Sequence, residues 1–260
     1  MKQSFKNSTA ERLIAIVTSL TLSNTPKTLT EVATEQHLSK ATVLRILRSL
    51  EEQDWVECDS GTGKYRAGNK ILEIGLGVLS NTTLRSISIP YLKDLLSASN
   101  ETVGLYILVG KERLLIEGLQ PDHELRLVSP VGKRVPLWYG SAGKAILANL
   151  KESQIADIIN ELKQSGSHKH ASGRMLDTDA LLRELALVRR RGYAVSIGER
   201  NMGISGVAAP IFSNENEVIG AVSIAGPSER FNEEAIKKYC TLVRDAAENI
   251  TQRIGSAVIY

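Results

Sequence analysis

Between Ser39 and Arg48, the segment SKATVLRILR sets hydroxyl and basic side chains at helical spacing around an apolar stripe. With Val43, Leu47 and Leu50 turned to a core and Ile46 widening the stripe, the opposite face presents Lys40, Ala41, Leu44, Arg45 and, one turn on, Arg48. Those residue types suit a DNA major groove. Ser39, Lys40 and Thr42 stand at the helix start, where free amide groups can meet phosphates or base edges. Ala41 and Leu44 match thymine methyls, and Arg45 carries the donor fork for guanine. Lys64 and Arg66 follow on either side of a tyrosine, beside the glycine-containing turn Ser60–Gly63, and their expected contribution is salt-dependent and blind to sequence.

The later part of the chain offers small residues rather than reactive ones. The segments YGSAGK (139–144), GISG (203–206) and SIAG (223–226) leave room beside backbone amides and hydroxyls, as a small carboxylate would need. Ala-Gly-Lys opening a helix can present free N–H groups, but it lacks the spacing of a phosphate-binding P-loop. Catalysis has no constellation here: Ser205 and Ser223 have no histidine placed near them by any motif, and the four histidines are His37, His123, His168 and His170. His168 and His170, with Asp177 and Asp179, form at most a weak metal site within a polar loop, so no metal and no cofactor is expected. The run Arg189–Arg191 suits the solvated carboxyl end of a helix. Cys58 and Cys240 lack a CxxC partner and support neither a zinc ribbon nor a disulfide framework.

These residues need elements to hold them. Ser8 and Glu11 form a capping-box pattern before Leu13, Ile16, Val17 and Leu20; Thr30 is the expected cap of a second helix running from Glu31 to about His37; Ser39 caps the third. Two short alternating segments around Ser60–Gly63 predict a hairpin, with Trp55 and Tyr65 bracing it against the helices. Three helices and a hairpin, residues 1–68, make a winged helix-turn-helix in which the second helix of the pair enters the groove. Residues 69–86, with Ile71, Ile74, Leu76, Val78 and Leu79, predict a linker helix packed against a second subunit. Residues 87–260 mix helices with strand candidates in TVGLYILV, ERLLIEGL, ELRLVS, GYAVSI, SGVAAPIFS and VIGAVSIAG. Helices are expected at 141–150, 154–163, 178–191 and 232–253. This order predicts an α+β fold around an antiparallel sheet.

Composition sets outer bounds. A chain of 260 residues, 42% hydrophobic and 23% charged, has the makings of two globular cores. Net charge is only +3, and residues 1–70 hold 10 basic and 8 acidic side chains, so DNA binding must rest on where charges stand. No apolar run approaches the length of a membrane span, which predicts a cytoplasmic protein.

Over nearly its whole length the sequence resembles the IclR-type transcriptional regulators. ERLIAIVTSL, LTEVATEQHLSKATVLRILRSLEEQDWVE and GKYRAGNKILEIG resemble that family's winged helix-turn-helix and linker. ETVGLYILVG, PLWYGSAGKAILA, RRRGYAVSIGERNMGISGVAAPIF and GAVSIAGPSERF resemble its effector domain. The resemblance implies a GAF-like effector domain, a dimer or tetramer on a double-stranded DNA operator, and control of metabolic genes by a small organic molecule. A pair of reading heads would match a palindromic operator. Carried over by position, the resemblance places effector contacts at Gly140, Ser141, Ala142, Ser196, Gly206, Ser223 and Ala225. Relatives that take small oxoacids can carry an acidic residue, a cysteine and a serine where Ser196, Gly206 and Ala225 stand, which points toward a larger or less polar ligand here. His37 replaces the glycine usual in the helix-helix turn, and histidine can visit the left-handed conformation at some cost. An architectural DNA-binding protein without effector, or an enzyme fused to a DNA-binding domain, are the other classes; turnover would mark the second, and weak sequence discrimination the first.

Overall fold

Residues 8–80, 83–165 and 168–256 are described by the computed structural model. The chain divides into two units, Met1–Asn81 and Thr82–Tyr260.

In the first unit, α1 (Thr9–Thr21), α2 (Leu29–Glu35) and α3 (Lys40–Glu51) close on a core of Ile16, Leu20, Val32, Val43, Leu47 and Leu50. Ser8 and Glu11 form the reciprocal cap expected for α1. The second helix starts earlier than the sequence predicts. Thr28, not Thr30, is its cap, because Glu31 three residues on accepts a hydrogen bond from the Thr28 amide at 2.6 Å, and no such partner follows Thr30 at that spacing. His37 takes φ 54° in the turn to α3, the left-handed conformation its position demands. The wing is β2 (Val56–Cys58) and β3 (Lys64–Ala67), with Tyr65 buried and Trp55 packed against the same core. A two-residue strand, β1 (Lys27–Thr28), adds to the far edge of β3; it is too short to leave an alternating pattern. α4 covers Asn69–Ser80, leaving Val78 and Leu79 without described side chains.

The second unit is a six-stranded antiparallel sheet. Its strands are β4 (Thr102–Val109), β5 (Glu112–Leu119), β6 (Arg134–Pro136), β7 (Ala194–Ile197), β8 (Ile204–Phe212) and β9 (Val218–Pro227), in the order β6-β5-β4-β9-β8-β7. Both faces are covered. On one lie α5 (Thr83–Ser99) and α9 (Glu233–Ser256), where Leu92, Val243 and Ile250 meet Val103, Leu105, Val207 and Ile224. On the other lie α6 (Gly140–Leu147), α7 (Glu152–Ser165) and α8 (Thr178–Arg191), meeting Ala194, Ala208, Val218 and Ala221. Burial on two sides explains the near-continuous apolar runs of β8 and β9.

Two expectations change in this unit. Residues 83–86, assigned to the linker, open α5 of the second unit. ELRLVS is not a strand: its backbone is held by side chains, with Thr102 Oγ1 donating to Leu127 O at 2.8 Å and Arg230 Nη2 to Leu125 O at 3.1 Å. Arg189 is exposed in the last turn of α8, as expected, and it is also partnered. Its Nε donates to Ala148 O at 2.6 Å and its Nη2 to Leu150 O at 3.1 Å, so it closes the carboxyl end of α6.

Candidate nucleic-acid interface and effector pocket

α3 places the proposed reader residues as its stripe dictates. Val43, Ile46, Leu47 and Leu50 are buried, while Lys40, Ala41, Arg45 and Arg48 are exposed and Thr42 and Leu44 half-buried. Ser39 Oγ accepts from the Thr42 amide at 3.2 Å and lies 2.9 Å from its hydroxyl, so both hydroxyls serve the helix cap. The side chains of Lys40, Arg45 and Arg48 make no hydrogen bond or ion pair among the described residues. On the wing, Lys64 is exposed beside the turn. Arg66 differs: it donates to both oxygens of its cross-strand neighbour Glu57 at 3.1 and 2.9 Å, which raises its own affinity for the proton and lowers that of Glu57. Sequence alternation could have found this pair, since both residues stand on the solvent face three positions from the ends of the Ser60–Gly63 turn.

In the second unit one cavity of about 70 Å³ gathers all seven residues carried over from the resemblance: Gly140, Ser141, Ala142, Ser196, Gly206, Ser223 and Ala225. Strand register does this. Ser196 pairs with Gly206 and Gly206 with Ala225, forming one row across β7, β8 and β9, while Ser223 lies two residues along on the same face. Their small side chains leave space beneath the start of α6. Gly206 has to be small, because a Cβ there would stand 3.1 Å from both Ser141 Oγ and Ala225 Cβ.

Charge enters from residues that spacing did not single out. Arg113 on β5 lines the cavity and is 4% exposed. Its Nη1 donates to the carbonyls of Pro136, at 3.1 Å, and Tyr139, and its guanidinium carbon lies 5.5 Å from the Tyr106 ring centroid. No carboxylate pairs with it among the described residues, and its Nε is buried without a hydrogen-bond partner. Burial lowers its pKa to about 10, and the nearby Arg200 charge acts in the same direction, so it remains a cation at neutral pH. Gly143 makes the seat for this group: a Cβ there would fall 2.4 Å from Arg113 Nη1 and 2.3 Å from Leu137 O. Arg200 and Asn201, from the turn joining β7 to β8, complete the polar wall.

The start of α6 faces the same space. Gly140 takes φ 73°, and Tyr139 offers no side-chain cap. Glu199 Oε2 accepts from the Gly140 amide at 3.1 Å, and its Oε1 accepts from the buried Lys144 Nζ. Lys144 also donates to Glu184 at 2.6 Å and to Val195 O at 3.0 Å. Arg113 and Arg200 make the cavity wall cationic.

The loop histidines gather no metal set. His168 packs edge-on to Trp138 at 5.0 Å, His170 lies 6.0 Å from Tyr139, and Asp177 caps α8 through the amides of Asp179 and Ala180. Among the described residues no group of three or more His, Cys, Asp and Glu comes together, and no helix is long and apolar enough to cross a membrane.

A helix-turn-helix with a two-stranded wing, followed by a sheet domain with a small-molecule cavity, defines a ligand-responsive DNA-binding regulator. The chain belongs to the IclR family: residues 9–60 match the IclR helix-turn-helix domain and residues 76–252 the bacterial transcriptional regulator IclR C-terminal domain. It is similar to the HTH-type transcriptional repressor AllR of Escherichia coli K12, 32% identical over 94% of this chain and 89% of that protein. Among solved structures, the IclR of Thermotoga maritima matches with a TM-score of 0.74 and 28% identity, covering 95% of this chain and 98% of that one. An IclR homologue from Microbacterium hydrocarbonoxydans, complexed with 4-hydroxybenzoate, shares the fold with a TM-score of 0.81 at 23% identity over 96% and 100% of the two chains. The chain is thus a DNA-binding transcriptional regulator with an effector domain, and its family is one of regulators rather than enzymes.

Proposed function

We propose that this regulator is a cytoplasmic repressor of metabolic genes which binds a palindromic double-stranded operator as a dimer or tetramer and is released by a small organic carboxylate. The ligand class rests on Arg113. A buried guanidinium with carbonyl partners and an unpartnered Nε is costly to keep unless an anion completes it. The open amides of Ser141 and Ala142 at the start of α6 supply the second half of a carboxylate site. Ser39, Lys40, Ala41, Thr42, Leu44, Arg45 and Arg48 form the groove-facing surface, and Lys64 and Arg66 the wing's phosphate contacts.

Association of two copies is supported by the apolar surface of the first unit. Val17, Leu22, Trp55, Ile71 and Ile74 line a groove of about 280 Å³, and Leu72, Ile74 and Leu76 of α4 are exposed. The name of the similar protein from E. coli supports repression as the sign of control. Ligand changes occupancy only through a difference in affinity between the arrangements of the two reading heads.

The test is quantitative binding of the purified full chain to its own upstream region and to scrambled DNA across a salt series, repeated with a panel of two- to four-carbon carboxylates. Competitor-resistant binding to the native fragment, weakened by one of the acids, is the expected result. Equal, steeply salt-dependent binding to both fragments would instead favour an architectural role.

A further inference from the structure

The anion already at the start of α6 belongs to the protein. Glu199 stands in the turn between β7 and β8, next to Arg200 and Asn201 of the cavity wall, and its carboxylate spans the Gly140 amide and Lys144 Nζ. Gly140 is the first residue of α6, and the amides of Ser141 and Ala142 follow it within the same turn. A carboxylate docking between Arg113 and these amides would bring a second negative charge against Glu199 within one helix turn, where only one is favoured.

We propose that Glu199 is an internal competitor for the effector site: it holds the start of α6 when the cavity has no ligand, and a carboxylate effector must displace it or bind against its charge. This rests on the carboxylate reading of the cavity given above. Displacement is feasible on geometric grounds. The turn carrying Glu199 is flanked by Gly198 and Gly203, with φ 63° and 78°, two positions at which the backbone can swing. Lys144 keeps Glu184 and the Val195 carbonyl when Glu199 leaves, so the buried ammonium is not stranded. Glu199 thereby sets the ligand concentration at which the regulator responds, and its departure moves Arg200 and Asn201 with the same turn.

Acetate, with neutral acetamide as its isostere, tests this on the full-length protein by following the amide resonances of Gly140, Ser141 and Ala142. In Glu199→Gln, whose side chain keeps an acceptor for Gly140 but loses the charge, acetate should titrate these amides at about tenfold lower concentration than in the unaltered chain. Acetamide should show no such difference, and Glu184→Gln, which removes the other charge on Lys144 without touching the first amides of α6, should leave the acetate midpoint within about twofold. Equal acetate midpoints in Glu199→Gln and the unaltered chain would overturn the competitor role while leaving the cavity as a carboxylate site. So would an equal gain in Glu184→Gln, which would mark a general electrostatic effect. No acetate response of these amides in any variant would overturn the carboxylate reading itself, and the competitor with it.

Discussion

Two helix starts in this protein are built in opposite ways. α3 begins with its own cap: Ser39 serves the Thr42 amide, and the cations beyond it, Lys40, Arg45 and Arg48, stand exposed without ion pairs among the described residues. α6 begins without a side-chain cap from Tyr139; its first amide is served by Glu199 from another element, and the cations around it, Arg113 and Lys144, are 4% and 1% exposed. The difference is the one expected if, as proposed above, α3 meets DNA and the cavity takes a small carboxylate. A DNA backbone brings many phosphates, so solvated side chains can find them and release counterions. A small acid brings one charge, and only a desolvated, fixed cation makes that charge count.

Arg113→Met should have the largest effect on this contrast. Acetate affinity is expected to fall by about 100-fold, the scale of losing one partner from a buried charge pair, while the ligand-free protein keeps its operator affinity. A titration of the α6 amides beside an operator-binding curve checks both halves, and unchanged acetate affinity would remove the buried cation from the comparison. Next in size, Arg45→Ala should cost about 1–3 kcal/mol of discrimination between operator and scrambled DNA, read as the ratio of the two dissociation constants. Loss of both affinities by the same factor would demote Arg45 to a phosphate contact.

Ser39→Ala should lower the stability of the first unit by about 1 kcal/mol, since it strips the cap from α3; chemical denaturation followed by circular dichroism reads it. The smallest effect is on the wing, where Glu57 engages Arg66. Glu57→Ala frees that guanidinium and removes a negative charge, so non-specific DNA binding should tighten slightly and its salt slope steepen by up to about one unit. A slope that does not change would mean Arg66 never reaches a phosphate.

The reading head was legible because its signals are local. Val43, Leu47 and Leu50 repeat at helical spacing, Ser39 and Thr42 lie three residues apart, and the opposite face follows by geometry. Even the left-handed turn at His37 follows from the short connection between α2 and α3. Where local signals competed, the reading slipped: Thr28 and Thr30 are both plausible caps, and the reciprocal Glu31 decides between them. ELRLVS alternates as a strand does, yet hydrogen bonds from Thr102 and Arg230, 25 and 105 residues away from their acceptors, hold it as a loop.

Sequence alone thus determined the two-part architecture, the exposed basic side of α3 and, through family resemblance, the small residues of the cavity. Tertiary structure decided its charge. Arg113 is one arginine among many until β5 carries it under the start of α6, and Glu199 is a turn residue until the β7–β8 register sets it on the Gly140 amide. Neither pairing has a period or a spacing. A helix face is fixed by neighbours within a turn or two, whereas burial of a charge depends on which distant strands and helices fold over it.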